Sequence, residues 1–180
     1  MSAKEKYYDK FTKYGKFMYD FCEAGTKFLV KHKALYYILA HTWGLLMTLI
    51  GYLITLVLLI VNLILKLCEK EPLPLNKHYW VYYFNIGKSW GGMEMGTMFL
   101  TDRNDHSSTK KHEFGHTFQN CLLGPLFPFL VAIPSATRYW IQEIRWRKGK
   151  GSLNKPYDSI WFEGSATDLG TIAQNYIDNN

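Results

Sequence analysis

The apolar positions of this 180-residue chain are unevenly spread, and their clustering outlines the molecule. Residues 34–65 form a run of thirty-two positions with no Asp, Glu, Lys or Arg. About 20 such residues suffice to cross the hydrocarbon core of a bilayer, and soluble helices of this length are seldom apolar on every face. The pattern predicts a transmembrane or re-entrant hydrophobic helix over residues 34–66, with Gly44 and Gly51 leaving room for a kinked path. The run begins far from Met1 and has no small-residue cleavage site before Lys66, so it reads as a retained anchor and not as a cleaved signal peptide.

Ahead of the run, Tyr7, Phe11, Tyr14, Met18 and Phe21 recur every three or four residues and draw one apolar stripe, with Lys6, Lys10, Lys13 and Lys16 mostly off it. Residues 1–33 therefore read as a basic amphipathic helix suited to the headgroup interface. The same stripe would also serve a helix packed on a domain core.

After the run, Glu71-Pro72-Leu73-Pro74 breaks the helix, and residues 67–180 read as a separate domain. Positions 79–86 and 93–101 have the aromatic and β-branched composition of strands, joined by a glycine-containing turn. A helix follows, with Asp105, Ser107 and Ser108 offering N-cap oxygens and Gly124 closing it. Phe114, Phe118 and Leu122 would bury its back. The apolar stretch 126–133, broken by Pro128 and closed by Pro134, is too short to span and reads as core or a membrane-dipping loop. A last helix begins at Asp158 or Ser159. The expected fold class is α+β, mostly helical, with one small antiparallel sheet.

The middle helix carries His112-Glu113-Phe114-Gly115-His116. Random order of this composition gives H-E-x-x-H in about 1% of chains, so the match is informative. On a helix the two imidazoles share a face one turn apart and can grip one Zn²⁺. Glu113 then sits at the rim, placed to take a proton from water. Gly115 costs the helix about 1 kcal/mol relative to Ala, which predicts a close approach by a metal or a neighbouring strand.

A catalytic zinc site takes three protein ligands plus water, and no histidine follows His116. Glu163 is the first choice for the third. Glu163, Ala166, Thr167 and Gly170 share a helix face on which all but the glutamate are small, so that helix can pack tightly on the motif helix. Glu143, Asp158 and Asp168 are the other candidates, and Asp168 is also placed to hydrogen-bond a ligand histidine. Tyr157, Tyr139 and Arg138 are candidate oxyanion donors.

The formal net charge is +6, and residues 1–33 hold eight Lys against four acids. The basic residues track the membrane-like segments and no nucleic-acid recognition motif accompanies them, so no nucleic-acid partner is expected. Arg138, Arg145, Arg147, Lys148 and Lys150, interleaved with Trp140 and Trp146, suggest a second interfacial helix. Charges flanking the apolar run do not settle orientation; a cytoplasm-facing catalytic domain is the reading adopted. Cys22, Cys68 and Cys121 are far apart and show neither a disulfide framework nor a cysteine zinc site.

His-Glu-x-x-His followed by Glu-x-x-Ala-x-x-x-Gly resembles the gluzincin type of zinc metallopeptidase, especially its membrane-bound members, over residues 79–173. Thr167 stands where those enzymes usually have Asp. Trp90-Gly91-Gly92, His112 to Gln119, Leu123-Gly124-Pro125 and Ile133-Pro134-Ser135 look like a group of small bacterial membrane proteins. The resemblance implies a zincin-like fold in a bacterial cytoplasmic membrane, with His112, His116 and Glu163 on zinc, Glu113 as catalytic base and peptide or membrane-proximal protein substrates. Residues 96–100 would be the strand that holds substrate by backbone pairing. Two other functions fit the same residues: a zinc-binding membrane structural or interaction protein without turnover, and a zinc amidase acting on a lipid-like substrate. Lys110, Lys111 and the polar residues before them argue for hydrolysis at the membrane surface.

Overall fold

The long apolar run does not form one helix. In the computed structural model, which describes residues 2–151 and 156–180, it divides at Thr42 to Gly44 into α3 (Lys33–His41) and α4 (Leu45–Leu67). The division has a packing cause. Tyr36 and Ala40 of α3 are fully buried, and the Tyr36 hydroxyl donates to Thr117 Oγ1 at 2.9 Å, so α3 belongs to the core. Helix α4, with 23 residues and a mean hydropathy of 2.6, is long and apolar enough to cross a membrane.

One face of α4 lies against a four-stranded sheet: β1 (Leu75–His78), β2 (Val81–Asn85), β3 (Gly92–Met95) and β4 (Met98–Thr101). Thr48 meets the backbone at Gly96, the Gly51 backbone meets the Met95 carbonyl, and Asn62 exchanges two hydrogen bonds with the Leu73 backbone (2.6 and 2.9 Å). Ile54 and Leu58 pack on Phe84, Met95, Met98 and Leu100. The remaining faces of α4, including Leu53, Leu56 and Ile60, are exposed.

The sheet departs from the expected antiparallel hairpin. Its order is β1-β2-β4-β3, with β1 and β3 antiparallel to their neighbours and β2 parallel to β4, so it is mixed. The stretch 93–101 is two strands, because Gly96 at φ +76° reverses the chain in its middle. Strand β4 is consequently interior, paired on both sides and buried, and residues 96–100 are not a free edge.

On the opposite face of the sheet, Val81, Tyr83 and Phe99 pack on Phe114 and Phe118 of α5 (Ser107–Leu123). No side chain caps α5: Asp105 instead takes Lys110 Nζ and Asn85 Nδ2, both at 2.9 Å. Gly124 closes the helix with φ +55°. A 3₁₀ turn (Gly124–Leu126) and a π-helical turn (Pro128–Ala132) then lead into α6 (Ile133–Arg147), which has no buried residue.

The last helix, α7 (Trp161–Asp178), crosses α5 with backbones in contact. A Cβ at Gly115 would lie 1.8 Å from the Ala166 carbonyl oxygen, and one at Gly170 would lie 1.9 Å from that of Lys111. The close approach that Gly115 foretold is therefore to a helix. Helices α1 (Ala3–Tyr7) and α2 (Lys13–Leu29) pack on α7. The buried face of α2 runs through Gly15, Met18, Tyr19, Cys22, Thr26 and Leu29, whereas Tyr14 and Phe21 of the expected stripe are exposed. The architecture is α+β and mostly helical: α4, the sheet, then the helical layer.

Gly115→Ala tests the crossing by sign. At an ordinary helix position the change stabilises by about 1 kcal/mol; here overpacking should reverse it, costing about 1–3 kcal/mol and lowering the denaturant midpoint of the purified protein.

His78 gives a pH test. Burial among Tyr79, Tyr83, Phe99 and Phe114, reinforced by Lys110, pushes it down to about 4 against the pull of Asp105 and Asp178. The folded chain thus refuses a proton that the unfolded chain accepts below about pH 6.5. This contribution to stability is present above pH 6.5 and lost as pH falls toward 4. Unfolding midpoints at pH 7 and pH 5 should differ less in His78→Gln than in the wild type.

Candidate active site

The crossing of α5 over α7 brings three groups to one point. His112 Nε2 lies 3.1 Å from His116 Nε2 and 3.1 Å from Glu163 Oε2, and His116 Nε2 lies 3.5 Å from that oxygen. The imidazole rings are perpendicular with centroids 4.6 Å apart. Glu163 is fully buried in the first turn of α7, and its Oε1 has no hydrogen-bond partner among the described residues.

Neighbouring polar side chains fix the rings. His116 Nδ1 meets Gln119 Oε1 at 2.6 Å, while the Gln119 amide donates to the Phe162 carbonyl (2.8 Å) and Ser165 Oγ (2.7 Å). With its NH₂ committed to a carbonyl, Gln119 can only accept from the ring, so Nδ1 carries a proton and Nε2 points at His112 and Glu163. His112 Nδ1 is held by the Thr167 hydroxyl at 2.9 Å.

Electrostatics couple the three. Burial raises the Glu163 pKa, but hydrogen bonds from both histidines outweigh it and hold the carboxyl well below the usual carboxylate range. Burial likewise opposes charge on His116, yet Glu163 overrides it and raises His116 to about 9. Two imidazole nitrogens and a carboxylate converging beside an orphaned buried oxygen form a donor set that fits a divalent cation of the zinc type.

Glu113 lines the adjoining cleft. It is buried against Gly92, where a Cβ would approach its Oε1 to 2.6 Å, and burial together with the Glu163 charge raises its pKa against the pull of the histidines. The cleft holds about 660 Å³ between β3, α5 and α6, and its walls are mostly apolar, with Met47, Trp90, Phe127 and Val131 contributing. The edge strand that lines it is β3, through Gly92, Met93 and Glu94, in place of residues 96–100. Asp102 anchors the approach to that edge by accepting from the Trp90 and Gly91 N–H groups, each at 3.1 Å.

The remaining candidates separate cleanly. Asp168 points away from the histidines, accepting from the Ala3 and Lys4 N–H groups (3.0 and 2.9 Å) and the Tyr19 hydroxyl (2.5 Å). The N-terminal helix claims it, and Thr167 takes the supporting role expected of it. Glu143 lies on α6, paired with Arg147 at 2.8 Å. Asp158 lines the cleft outside the triad. Tyr157 also lines the cleft, its ring 6.1 Å from that of His112 and its hydroxyl 3.2 Å from Ser135 Oγ. Tyr139 is at the wall; Arg138 donates to the Pro156 carbonyl (2.9 Å) and stacks over Tyr157.

The sequence reading gave no role to two residues. Gln119 shares the histidine face at the i, i+3 spacing from His116, a signal sufficient to give it a role. Glu94 is buried on β3 at the cleft wall, with Oε1 accepting from the Gly96 N–H at 2.5 Å and Oε2 unpartnered; burial pushes its pKa well above the carboxylate range. An acid between Met93 and Met95 in a strand was its signal. Comparison of the chain with protein-family models, curated proteins and solved structures gives no match.

Proposed function

We propose that the protein is a membrane-anchored, zinc-dependent metallopeptidase of zincin-like design, held by α4 in a bacterial cytoplasmic membrane with its catalytic domain on the cytoplasmic side. The observation that carries the reading is the convergence of His112, His116 and Glu163 beside a cleft that Glu113 also lines. His112, His116 and Glu163 would hold the zinc ion through Nε2, Nε2 and the carboxylate. When bound, zinc supplies Lewis acidity, lowering the pKa of a coordinated water toward about 7 and polarising a carbonyl.

The protein's own groups supply the rest. Gln119 and Thr167 keep both rings turned inward, so the donor set is organised before any ligand arrives. The unpaired edge of β3 offers backbone groups to an extended peptide, aligning a scissile bond along the cleft. Glu113 accepts a proton from the attacking water and delivers it to the departing amine. Tyr157, of the three candidate donors the one beside His112, is positioned to hydrogen-bond the oxyanion. The apolar walls exclude water and favour substrates with hydrophobic side chains near the cut. They also favour, as a second reading, hydrolysis of an amide in a lipid-like molecule.

Metal analysis tests the donor set. Wild-type protein should carry one zinc per chain and Glu163→Ala should lose it; stoichiometric zinc in that variant rejects the triad. Gln119→Leu should weaken zinc binding by about 10–100-fold in a chelator competition, and it should also lower the unfolding midpoint of the metal-free protein, because the Phe162 carbonyl and Ser165 hydroxyl lose a buried partner.

Glu113→Gln tests turnover. It should keep zinc and fold but lose about 10²–10⁴-fold in hydrolysis of a peptide library. Zinc bound with no hydrolysis by wild type or variant would leave a zinc-binding structural protein, equal hydrolysis by both would reject Glu113 as the base, and cleavage confined to lipid amides would select the second reading.

A further inference from the structure

Helix α6 poses a problem that the catalytic reading does not absorb. Fifteen residues long, it buries none of its side chains, yet Ile133, Ile141, Ile144 and Trp146 are exposed along it, and Phe129 is exposed on the π-helical turn before it. An isolated helix of this length is marginal in water, and an apolar face without a cover adds to the cost. Its inner side, with Ser135, Ala136 and Tyr139, is one wall of the cleft. Whatever covers the outer side therefore lies next to the substrate.

Two observations identify the cover. The first is charge: the C-terminal end of α6 and the residues just after it carry Arg145, Arg147, Lys148 and Lys150 against Glu143 alone. Apolar and Trp side chains beside a cationic cluster match the acyl and headgroup layers of an anionic leaflet. The second is the path of α4. It stays in contact with the domain from Met47, which lines the cleft, to Asn62, which binds Leu73. That is about 22 Å of a helix about 34 Å long. A span that crosses the bilayer while packed along two thirds of its length draws the flank of the domain into the lipid with it.

We infer that the outer face of α6 and the preceding π-helical turn are seated in the headgroup–acyl boundary of an anionic phospholipid leaflet, so that the cleft opens within the membrane and not into the aqueous phase. The inference rests on α4 crossing the bilayer and is independent of the metallopeptidase reading. Joined to the metallopeptidase reading, it implies that substrates arrive laterally, with the bond to be cut at headgroup depth.

Spin-label accessibility tests it. In full-length Cys68→Ser protein, whose two other cysteines are buried, a single nitroxide is placed in turn at Ile141, Ile144 and, as a reference for the span, Leu56. Each is measured in nanodiscs of phosphatidylcholine alone and with about one third phosphatidylglycerol. In the anionic discs, labels at Ile141 and Ile144 should be several-fold more accessible to oxygen than to a water-soluble nickel chelate, as the label at Leu56 is, and this preference should fall at least two-fold in phosphatidylcholine alone. Water-like accessibility at Ile141 and Ile144 with lipid-like accessibility at Leu56 overturns the inference while leaving α4 as a span. Water-like accessibility at all three removes its premise and overturns it too. Dipolar broadening between copies at Ile141 and Ile144 overturns it in favour of a second copy of the chain as the cover, and equal behaviour in both lipid mixtures refutes the anionic requirement. None of these readouts involves turnover.

Discussion

The contact on which the rest depends is the crossing of α5 and α7, where two helices meet backbone to backbone. Packed helices ordinarily keep their axes about 8–10 Å apart, a distance set by interposed side chains. Gly115 and Gly170 remove those side chains at the two points where each helix faces the other's carbonyls. A glutamate side chain is short, and only at such proximity can Glu163 on one helix reach both imidazoles on the other. The same crossing lets Gln119 bridge to the Phe162 carbonyl and Ser165, and lets Thr167 reach His112.

Around that crossing the chain buries more carboxyls than it can neutralise by side chains. Glu94, Glu113 and Glu163 lie within the same apolar surround, facing two histidines. Low local dielectric makes each uncompensated charge expensive. The raised pKa values of Glu94 and Glu113 express that cost, while Glu163 stays ionised because both imidazoles attend it. A cation held by the two imidazoles and the Glu163 carboxylate would offset that cost.

Much of the site was legible in the sequence because its information is local. The spacing of His112 and His116 needs only helical geometry, and the small-residue face of α7 already announced a close neighbour. The sheet was less legible because strand partners are chosen at long range: the reversal at Gly96 places β4 beside β2, and nothing in residues 93–101 alone states that pairing. The apolar run concealed the burial of Tyr36 and Ala40, since lipid-facing and core-facing positions use the same residue types. Asp168 was misassigned because its partners, Ala3, Lys4 and Tyr19, are about 150 positions or more away in the chain.

That carboxylate couples α1 and α2 to α7. By taking the first free amides of α1 and the Tyr19 hydroxyl, Asp168 buckles the opening residues onto the helix that carries Glu163 one turn earlier. A change that pulls residues 3 and 4 away from Asp168 would therefore act at a distance on the cluster of His112, His116 and Glu163.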